Sequence, residues 1–577
     1  MARRKLIPIV LISIASVCIA AAQAPKASRP VTDAMLENPN PNDWLMFSRT
    51  YDAQRFSPLK QITRQNVQRL EKSWSRELGA GSLESIPLVH DGVMYIINPG
   101  ESVQALDATN GNPIWEYKRP NAGGGRPKAL AIYEDMIFYV TPDNFVVALD
   151  ARTGALRWEA PALSEGNTSG SIVVDGVVIS GRRCGTSRPN CYIAGHDART
   201  GKELWKFYVT AGSNEPGGDS WGNVPDDKRV ASAWSVPGSY DPRTGLVFWG
   251  VANPRPYTWL ERHGDPALNP RTSPADLYSN STLALNPKTG KLVWYYQHLP
   301  GDEWNLDYGA ERTLVRTRVN PDPQAVKWIG SDIRRGQTRD VLLTVGEGGA
   351  VFALDPASGK FLWATPFPFD APENFHIASI DTKTGKVLPN WEKLGYNKPG
   401  ERHTVCFYNT RGYAPTAYHP GQNALFVPFA DECMDQTAPG GASPNRVEVV
   451  VRRPGSDPNT FGGLAKVNVE TGKIELVYKG KASGNGAVVA TAGDVVFWGD
   501  VAGVFRAFDA ADGKVLWETS LGAVVQNSTI TYGVNGRQYV AVMTGEGLLT
   551  GPVIQLSGAT PVRSRNSLHV FALPAGK

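Results

Sequence analysis

The chain lacks a strong excess of charge and has few cysteines and histidines. Its 577 residues carry a formal net charge of +4, from 59 basic and 55 acidic residues. Such a balanced composition argues against a nucleic-acid partner or an anionic membrane surface. The eight histidines show no metal-ligand spacing, and the five cysteines form no Cys-x-x-Cys-His motif. The sequence therefore predicts no histidine metal site and no covalently attached c-type haem.

Charged residues are also missing from one long run near the N-terminus. Arg3, Arg4 and Lys5 precede an apolar stretch over residues 6–20, and small residues suited to cleavage follow at 21–24. This order predicts a signal peptide over residues 1–24 rather than a membrane anchor, and hence a periplasmic protein without a membrane span. Removing the signal takes three basic residues and no acidic one, which lowers the net charge from +4 to +1.

The exported chain would also lose Cys18 and keep four cysteines. An even number in an exported protein predicts two disulfides. Pairing of sequence neighbours, Cys184 with Cys191 and Cys406 with Cys433, is the simplest of the three connectivities. A cysteine metal site is the weaker alternative, because no second Cys or His lies at close ligand spacing.

What the sequence has in quantity is a repeated hairpin. Residues 194–205 read Ala-Gly-His-Asp-Ala-Arg-Thr-Gly-Lys-Glu-Leu-Trp. The Asp can bond the backbone two residues on and the Gly supplies positive φ, so a turn joins two strands. Further copies occur at residues 105–115, 148–158, 284–294, 353–363 and 507–517, and a weaker copy at 466–476 lacks the Trp.

Most copies follow a second hairpin signal, such as the turn at Asp91-Gly92, so each repeat predicts a four-stranded antiparallel sheet. The spacing from Asp107 to Asp150 and on to Asp197 is close to the ~40–45 residues of a propeller blade. We therefore predict an all-β fold, a single eight-bladed β-propeller over residues 25–577 with long insertions between blades.

The eighth blade needs strands from both chain ends. A strand within residues 567–573 is expected to pair with one around residues 72–75. This pairing removes the free sheet edges that would otherwise need protection.

The order of the repeats, the predicted signal peptide and the segments at residues 43–58 and 499–517 resemble the corresponding features of the quinoprotein alcohol dehydrogenases. The resemblance covers roughly residues 40–577 and implies an eight-bladed propeller that uses pyrroloquinoline quinone (PQQ) with Ca²⁺ or a lanthanide. It implies oxidation of an alcohol larger than methanol. It also implies electron transfer to a separate c-type cytochrome, since the chain carries no haem motif.

This resemblance implies a cofactor role for residues at matching positions. Trp234 matches the Trp on whose face the quinone stacks, with a blade-core Trp as the alternative. Lys128 replaces a cofactor-binding Arg, and Glu347 stands where another Arg usually bonds the quinone, which is a change of sign. Glu84 matches the acidic residue that contacts the quinone, and Thr168 matches a Thr that bonds the cofactor.

The positions implied for the metal and the base depart further from the family. Asn253 matches an amide metal ligand, with an Asn-Pro turn as the alternative. Thr186 stands where the family has a metal-binding Glu, so one anionic ligand is missing. Asn305 occupies the position of the catalytic base, and a neutral amide cannot take a proton. Asp307 would face the same side of an extended segment, and we predict that it acts as base or as metal ligand.

Two alternatives remain open at this point. A bridge between Cys184 and Cys191 would brace the cofactor pocket or cover it, or it would only staple a loop. A non-enzymatic periplasmic propeller that binds protein partners is favoured by Asn305, Thr186 and Glu347. The other matched residues and the long insertions favour the enzyme.

Overall fold

The computed structural model describes residues 29–575, except residues 101, 121–125, 127, 167–168, 235, 409, 413, 441–443, 485, 526–528, 548–549 and 564–565. The predicted signal peptide lies outside this part of the chain. Among the described residues, no helix is long and apolar enough to cross a membrane.

Six four-stranded sheets and two five-stranded sheets account for most of the described chain. Numbered in chain order, sheets 1 to 4 follow one another without interleaving. Their strands are Leu88–His90, Val93–Ile97, Ser102–Asp107 and Pro113–Lys118 in sheet 1; Ala131–Tyr133, Met136–Val140, Phe145–Asp150 and Leu156–Pro161 in sheet 2; Ser171–Val174, Val177–Gly181, Tyr192–Asp197 and Glu203–Tyr208 in sheet 3; and Ser239–Asp241, Leu246–Gly250, Ser281–Leu285 and Leu292–Gln297 in sheet 4.

Sheets 5 to 7 carry the larger insertions, and sheets 5 and 7 each gain a fifth strand. The strands are Thr313–Val319, Gln337–Val345, Ala350–Leu354, Phe361–Pro366 and the outer Trp328–Ile329 in sheet 5; Ala417–His419, Ala424–Ala430, Gly462–Asn468 and Ile474–Gly480 in sheet 6; and Val489–Thr491, Val495–Gly499, Val504–Asp509, Val515–Ser520 and the parallel Phe56–Ser57 in sheet 7.

Sheet 8 joins the two ends of the chain. Its strands Ile530–Val534, Arg537–Thr544 and Ser567–Ala572 are completed by Glu71–Glu77, which runs antiparallel to Ser567–Ala572. The predicted closing strand pair is confirmed. The all-β propeller of four-stranded sheets is likewise confirmed.

Short elements fill the connections. Three small sheets pair Val230–Ala231 with Pro254–Arg255, Ile377–Ile380 with Val387–Pro389, and Glu432–Thr437 with both Arg402–Cys406 and Val447–Arg452. The α-helices are Asp33–Glu37, Trp259–His263, Trp391–Leu394 and Thr550–Ser557, and the 3-10 turns are Val67–Arg69, Arg188–Asn190, Gly218–Trp221, Asp226–Lys228, Pro372–Asn374 and Pro420–Gln422.

Tryptophans on outer strands join sheet 8 to sheet 1, and then each sheet to the next as far as sheet 5. Trp158 of sheet 2 lies on the turn Gly201 of sheet 3, where an added Cβ would come within 2.5 Å of the Trp158 Cε3 atom. The Trp158 indole N–H also donates to the carbonyl of Ala198 at 3.0 Å. The same packing recurs for Trp74 on Gly111, Trp115 on Gly154, Trp205 on Gly290 and Trp294 on Gly359. Each contact fixes the position of one sheet relative to its neighbour.

In the weaker repeat, a different side chain packs on the turn glycine of the next sheet. Sheet 6 lacks the Trp, and Val477 packs on Gly513 of sheet 7 instead, where an added Cβ would lie 2.5 Å from the Val477 Cβ atom. The glycine turn is therefore kept although its aromatic partner is lost.

The segment before sheet 1 covers the edge strands of several sheets. Its carbonyls at Tyr51, Asp52 and Gln54 accept backbone N–H groups from the first strands of sheets 4, 5 and 6 at 2.8–2.9 Å. Arg55 is fully buried and donates to the carbonyls of Phe47 at 2.6 Å and Val488 at 2.9 Å. These bonds satisfy edge groups that would otherwise be open to solvent or to other chains.

The contact between Trp158 and Gly201 gives a stability test. Gly201→Ala should lower the thermal unfolding midpoint by several degrees more than Gly536→Ala. Both glycines have positive φ, +73° and +75°, but an added Cβ meets nothing within 4 Å at Gly536. Backbone strain of about 1–2 kcal/mol is common to both variants, and overpacking against the indole adds about 1–3 kcal/mol at Gly201 alone. Equal shifts in the two variants would show that the ring contact contributes nothing.

Candidate functional site

A turn-rich loop between sheets 4 and 5 carries Asn305 and Asp307. The carboxylate of Asp302 organises this loop by accepting the backbone N–H groups of Trp304 at 2.7 Å and Leu306 at 2.8 Å. Asn305 has a φ of +64°, a left-handed conformation that Asn tolerates better than most residues. The loop is therefore held by its own side chains, with Asn305 and Asp307 on the wall of one cavity.

Glu347 reaches the same cavity from sheet 5. It lies in the Gly-rich turn between the strands Gln337–Val345 and Ala350–Leu354. The turn is closely packed, because a Cβ at Gly346 would meet the Tyr308 ring at 2.4 Å and one at Gly348 would meet the His376 ring at 2.2 Å. Only glycine fits at both positions, and the side chain between them is fixed as a result.

Asp307 and Glu347 are bonded to each other in both directions. The Asp307 N–H donates to the Glu347 carboxylate at 3.0 Å, and the Glu347 N–H donates to the Asp307 carbonyl at 3.1 Å. The Asp307 carboxylate accepts the Trp234 indole N–H at 3.0 Å and the Asn253 backbone N–H at 2.9 Å. Three chain segments distant in sequence therefore meet at one aspartate.

Burial sets the protonation chemistry of this pair. Desolvation raises the pKa of Asp307, against the two hydrogen bonds that its carboxylate accepts. Desolvation and the nearby Asp307 charge raise the pKa of Glu347 well above its ordinary value. Among the described residues, neither carboxylate has a Lys, Arg or His nitrogen within 4.0 Å. The site thus holds two adjacent acidic groups without a direct ion pair, although the Arg255 charge acts to lower the pKa of Asp307.

A second buried acid is paired with cations. Glu84 forms an ion pair with Lys128, and the Arg126 Nη1 atom lies 3.4 Å from a Glu84 oxygen. The Lys128 ammonium lies 5.1 Å from the ring centre of Trp234. Desolvation lowers the pKa of Lys128 to about 8, although Glu84 acts in the opposite direction. Lys128 therefore connects Glu84 to the indole.

Trp234, Asp307 and Glu347 line a cavity of about 270 Å³, slightly below the range of about 300–1,000 Å³ typical of small-molecule pockets, whereas Glu84 and Lys128 are not among its lining residues. Three arginines that sequence reasoning missed also line it. The lining residues are Arg126, Arg183, Cys184, Gly185, Ser232, Trp234, Arg255, Tyr257, Asn305, Asp307, Glu347, Tyr408 and Glu448. No periodic pattern marked these arginines, although Arg183 adjoins Cys184 and Arg255 follows the predicted Asn253-Pro254 turn.

The disulfide at residues 184 and 191 forms part of this wall. Both predicted disulfides are present, Cys184 with Cys191 and Cys406 with Cys433. The Cys184 backbone N–H donates to the Ser232 hydroxyl at 2.7 Å, two residues before Trp234. The bridge is therefore tied to the segment that presents the indole.

Two other predicted site residues are not among the lining residues of the cavity, and a third lies outside the described residues. Thr186 is exposed, and its N–H and hydroxyl donate to Glu165 at 2.9 and 2.8 Å, so it is not a lining residue of the cavity. Asn253 is buried, and its side-chain amide donates to the Pro254 carbonyl at 3.2 Å. Thr168 lies outside the described residues.

The residues present fit the predicted cofactor and metal. An indole face and three arginine side chains suit a planar, anionic quinone. The two carboxylates without a cationic partner suit a hard cation with oxygen ligands. Arg126, Arg183 and Arg255 would hold the quinone, while Asp307 and Glu347 would hold the ion.

The chain matches one protein family over most of its length. The model of the β-propeller domain of PQQ-dependent glucose, ethanol and alcohol dehydrogenases matches residues 44–331 and 459–540. The matched parts contain sheets 1 to 4 and sheet 7, and the gap between them contains most of sheet 5, part of sheet 6 and the segment between those two sheets.

Whole-chain relatives are similar at moderate identity. The quinohemoprotein alcohol dehydrogenase ADH-IIG of Pseudomonas putida is 29% identical, over 96% of this chain and 79% of that protein. The quinoprotein alcohol dehydrogenase PedE of Pseudomonas putida is 29% identical, over 92% of this chain and 90% of that protein. The dehydrogenase subunit of a quinone-linked alcohol dehydrogenase of Gluconobacter oxydans is 28% identical, over 91% and 74%.

Solved structures give the same picture. A europium-containing methanol dehydrogenase superposes with a TM-score of 0.78 at 25% identity, covering 94% of this chain and all of that one. The ADH-IIG structure also has a TM-score of 0.78 at 25% identity, covering 96% of this chain and 84% of that one.

The hydrogen bond from Trp234 to Asp307 gives a titration test. Trp234→Phe should raise the pKa of Asp307 further, because the lost indole donor stabilises the charged carboxylate. Infrared titration of the carboxyl C=O band would measure the shift. Trp115→Phe is the control, since its indole donates to the Ala151 carbonyl in the sheet-to-sheet contact. An unchanged carboxyl titration in Trp234→Phe would contradict this role.

Proposed function

Because the chain belongs to the family of PQQ-dependent alcohol dehydrogenases, we propose that it oxidises an alcohol larger than methanol to an aldehyde or ketone. PQQ is the cofactor of this family, and the proposed metal is Ca²⁺ or a lanthanide. The observation that carries the proposal is a single cavity lined by Trp234, by Asp307, which accepts the Trp234 indole N–H, and by three arginines. The names of the relatives, which are alcohol dehydrogenases, support the same substrate class.

The residues around the cavity support distinct steps. When bound, PQQ accepts the two electrons that leave the carbinol carbon. The Asp307 carboxylate takes the proton of the alcohol O–H, so loss of this proton and of a hydride converts the alcohol to a carbonyl. The indole N–H of Trp234 and the backbone N–H of Asn253 hold Asp307 in its reactive orientation. The neutral Asn305, within 3.5 Å of the Tyr408 hydroxyl, is left to position the substrate.

The proposal extends to the whole exported protein. Residues 1–24 would direct export to the periplasm, and residues 25–577 would form one domain of eight blades. The six four-stranded and two five-stranded sheets support this blade number. Electrons would pass from the reduced cofactor to a separate c-type cytochrome, in keeping with the absence of a Cys-x-x-Cys-His motif from the sequence.

One titration tests the proposed activity directly. Purified mature protein should bind PQQ saturably with Ca²⁺ or La³⁺ present, and it should then reduce an artificial electron acceptor when alcohols are added. Absorbance would follow binding, and dye reduction over an alcohol panel would identify the substrate and the preferred ion. Absence of PQQ binding with every metal would refute the dehydrogenase and favour a propeller that binds protein partners.

Replacing the proposed base should separate chemistry from binding. At a saturating metal concentration, Asp307→Asn should lower kcat by about 10²–10⁴-fold, the usual contribution of a general base, while PQQ remains bound. The metal is kept saturating because Asp307 would also hold the ion. Asn305→Ala is the matched control on the same loop, and it should keep most of the turnover. Full activity in Asp307→Asn, or a greater loss in Asn305→Ala, would move the base to another residue.

The disulfide wall can be tested by removing one bridge. Cys184→Ser combined with Cys191→Ser should weaken PQQ binding, because Cys184 lines the cavity and bonds to the segment of Trp234. The measurement is the Kd for PQQ with metal present, alongside thermal unfolding. Wild-type PQQ affinity in the double variant would reduce the bridge to a loop staple.

A further inference from the structure

Glu347 is an acid at a position where the resemblance implies a cofactor-binding arginine. It is also the direct hydrogen-bond partner of Asp307 across two adjacent sheets. We infer that Glu347 and Asp307 together bind the metal ion, so that Glu347 supplies the carboxylate missing at Thr186. This inference rests on the proposed function, because it assigns this chain's own ligands for the ion of that site.

The charge at the site favours a bound cation. Two carboxylates face one cavity, and among the described residues neither has a cationic nitrogen within 4.0 Å. Three buried acids of the surrounding sheets and loops each have partners. Glu84 is paired with Lys128, Glu311 with Arg411, and Asp302 accepts three hydrogen bonds from Trp304, Leu306 and Asn280. A bound cation would compensate the charge of these two carboxylates at short range.

The positions of the Asp307 and Glu347 carboxylates also favour a bound ion. The Glu347 Oε2 atom accepts the Asp307 N–H, so the Glu347 carboxylate is held at 3.0 Å from the Asp307 backbone. That bond uses only one of the lone pairs of the Glu347 carboxylate. The Asp307 oxygens each accept one N–H, which leaves further lone pairs for an ion. Hard cations are bound by such carboxylate oxygens.

Thr186, the position of the family's carboxylate ligand, does not supply a ligand to the cavity. Thr186 is exposed and both of its polar groups are taken by Glu165, which also accepts from the Asn190 amide at 3.4 Å. Neither Thr186 nor Glu165 is a lining residue of the cavity. The missing carboxylate is therefore not supplied from the disulfide side, but from the turn of sheet 5.

Metal binding to the protein without PQQ tests the assignment. Tb³⁺ should bind the wild type and emit on excitation of tryptophan, since the Trp234 indole lies 3.0 Å from an Asp307 oxygen. Glu347→Gln, which keeps the acceptor for the Asp307 N–H, should weaken Tb³⁺ and Ca²⁺ binding by about 10–100-fold. It should also abolish most of the metal-induced rise in the unfolding midpoint. Glu347→Asp should recover part of the affinity.

Two carboxylate variants serve as controls. Glu448→Gln removes an acid that lines the same cavity but pairs with Arg446, and Glu165→Gln removes the acid bonded to Thr186. Both should bind Tb³⁺ with wild-type affinity. The inference is overturned if Glu347→Gln binds metal as tightly as the wild type, if either control loses as much, or if the wild type binds no metal with or without PQQ.

The outcomes also separate this inference from the proposed function. If Tb³⁺ binding depends on Glu347 but PQQ with alcohols produces no dye reduction, the metal site stands and the dehydrogenase fails. If Glu347→Gln keeps both metal affinity and PQQ-dependent turnover, the dehydrogenase stands and the role of Glu347 fails.

Discussion

The contact between a tryptophan and the next turn glycine fixes the relative positions of neighbouring sheets from sheet 8 through sheets 1 to 5. At Trp294 and Gly359 it joins sheet 4 to sheet 5, and the Trp294 indole N–H donates to the Pro356 carbonyl at 3.1 Å. The loop with Asp307 leaves sheet 4, and the turn with Glu347 belongs to sheet 5. The angle fixed at the outer rim therefore decides whether the two carboxylates can meet near the inner strands.

The carboxylate pair works against folding unless something compensates it. The folded protein raises the pKa values of Asp307 and Glu347, so it binds protons that the unfolded chain has already released. Stability from these groups therefore falls as the pH rises through and above the ordinary carboxyl range. A cation that binds only the folded state reverses this effect by mass action. Without a bound cation, the close packing of the glycine-rich turn holds Glu347 beside Asp307.

Much of the fold could be predicted because its determinants are local and repeated. The Asp-x-x-Thr-Gly turns and their tryptophans occur at fixed spacing, and the closing strand near Lys72 follows from the need to remove free edges. The site was less accessible to sequence reasoning. Asp307 could be selected from its spacing to Asn305, but the convergence of Arg126, Arg183 and Arg255 depends on insertions that follow no period. Likewise, no local signal showed that Thr186 turns outward towards Glu165.

The departures from the family pattern make sense when they are considered together. Relative to the positions that the resemblance implies, the chain lacks carboxylates at Thr186 and Asn305 and has them at Asp307 and Glu347. The number of anionic groups is unchanged, while their positions move to one wall of the cavity. Loss of a cofactor site without selection would remove charges without replacing them, and two adjacent carboxylates without a direct ion pair are costly to retain. Their retention in a closely packed turn argues for a rearranged metal site rather than for an abandoned one.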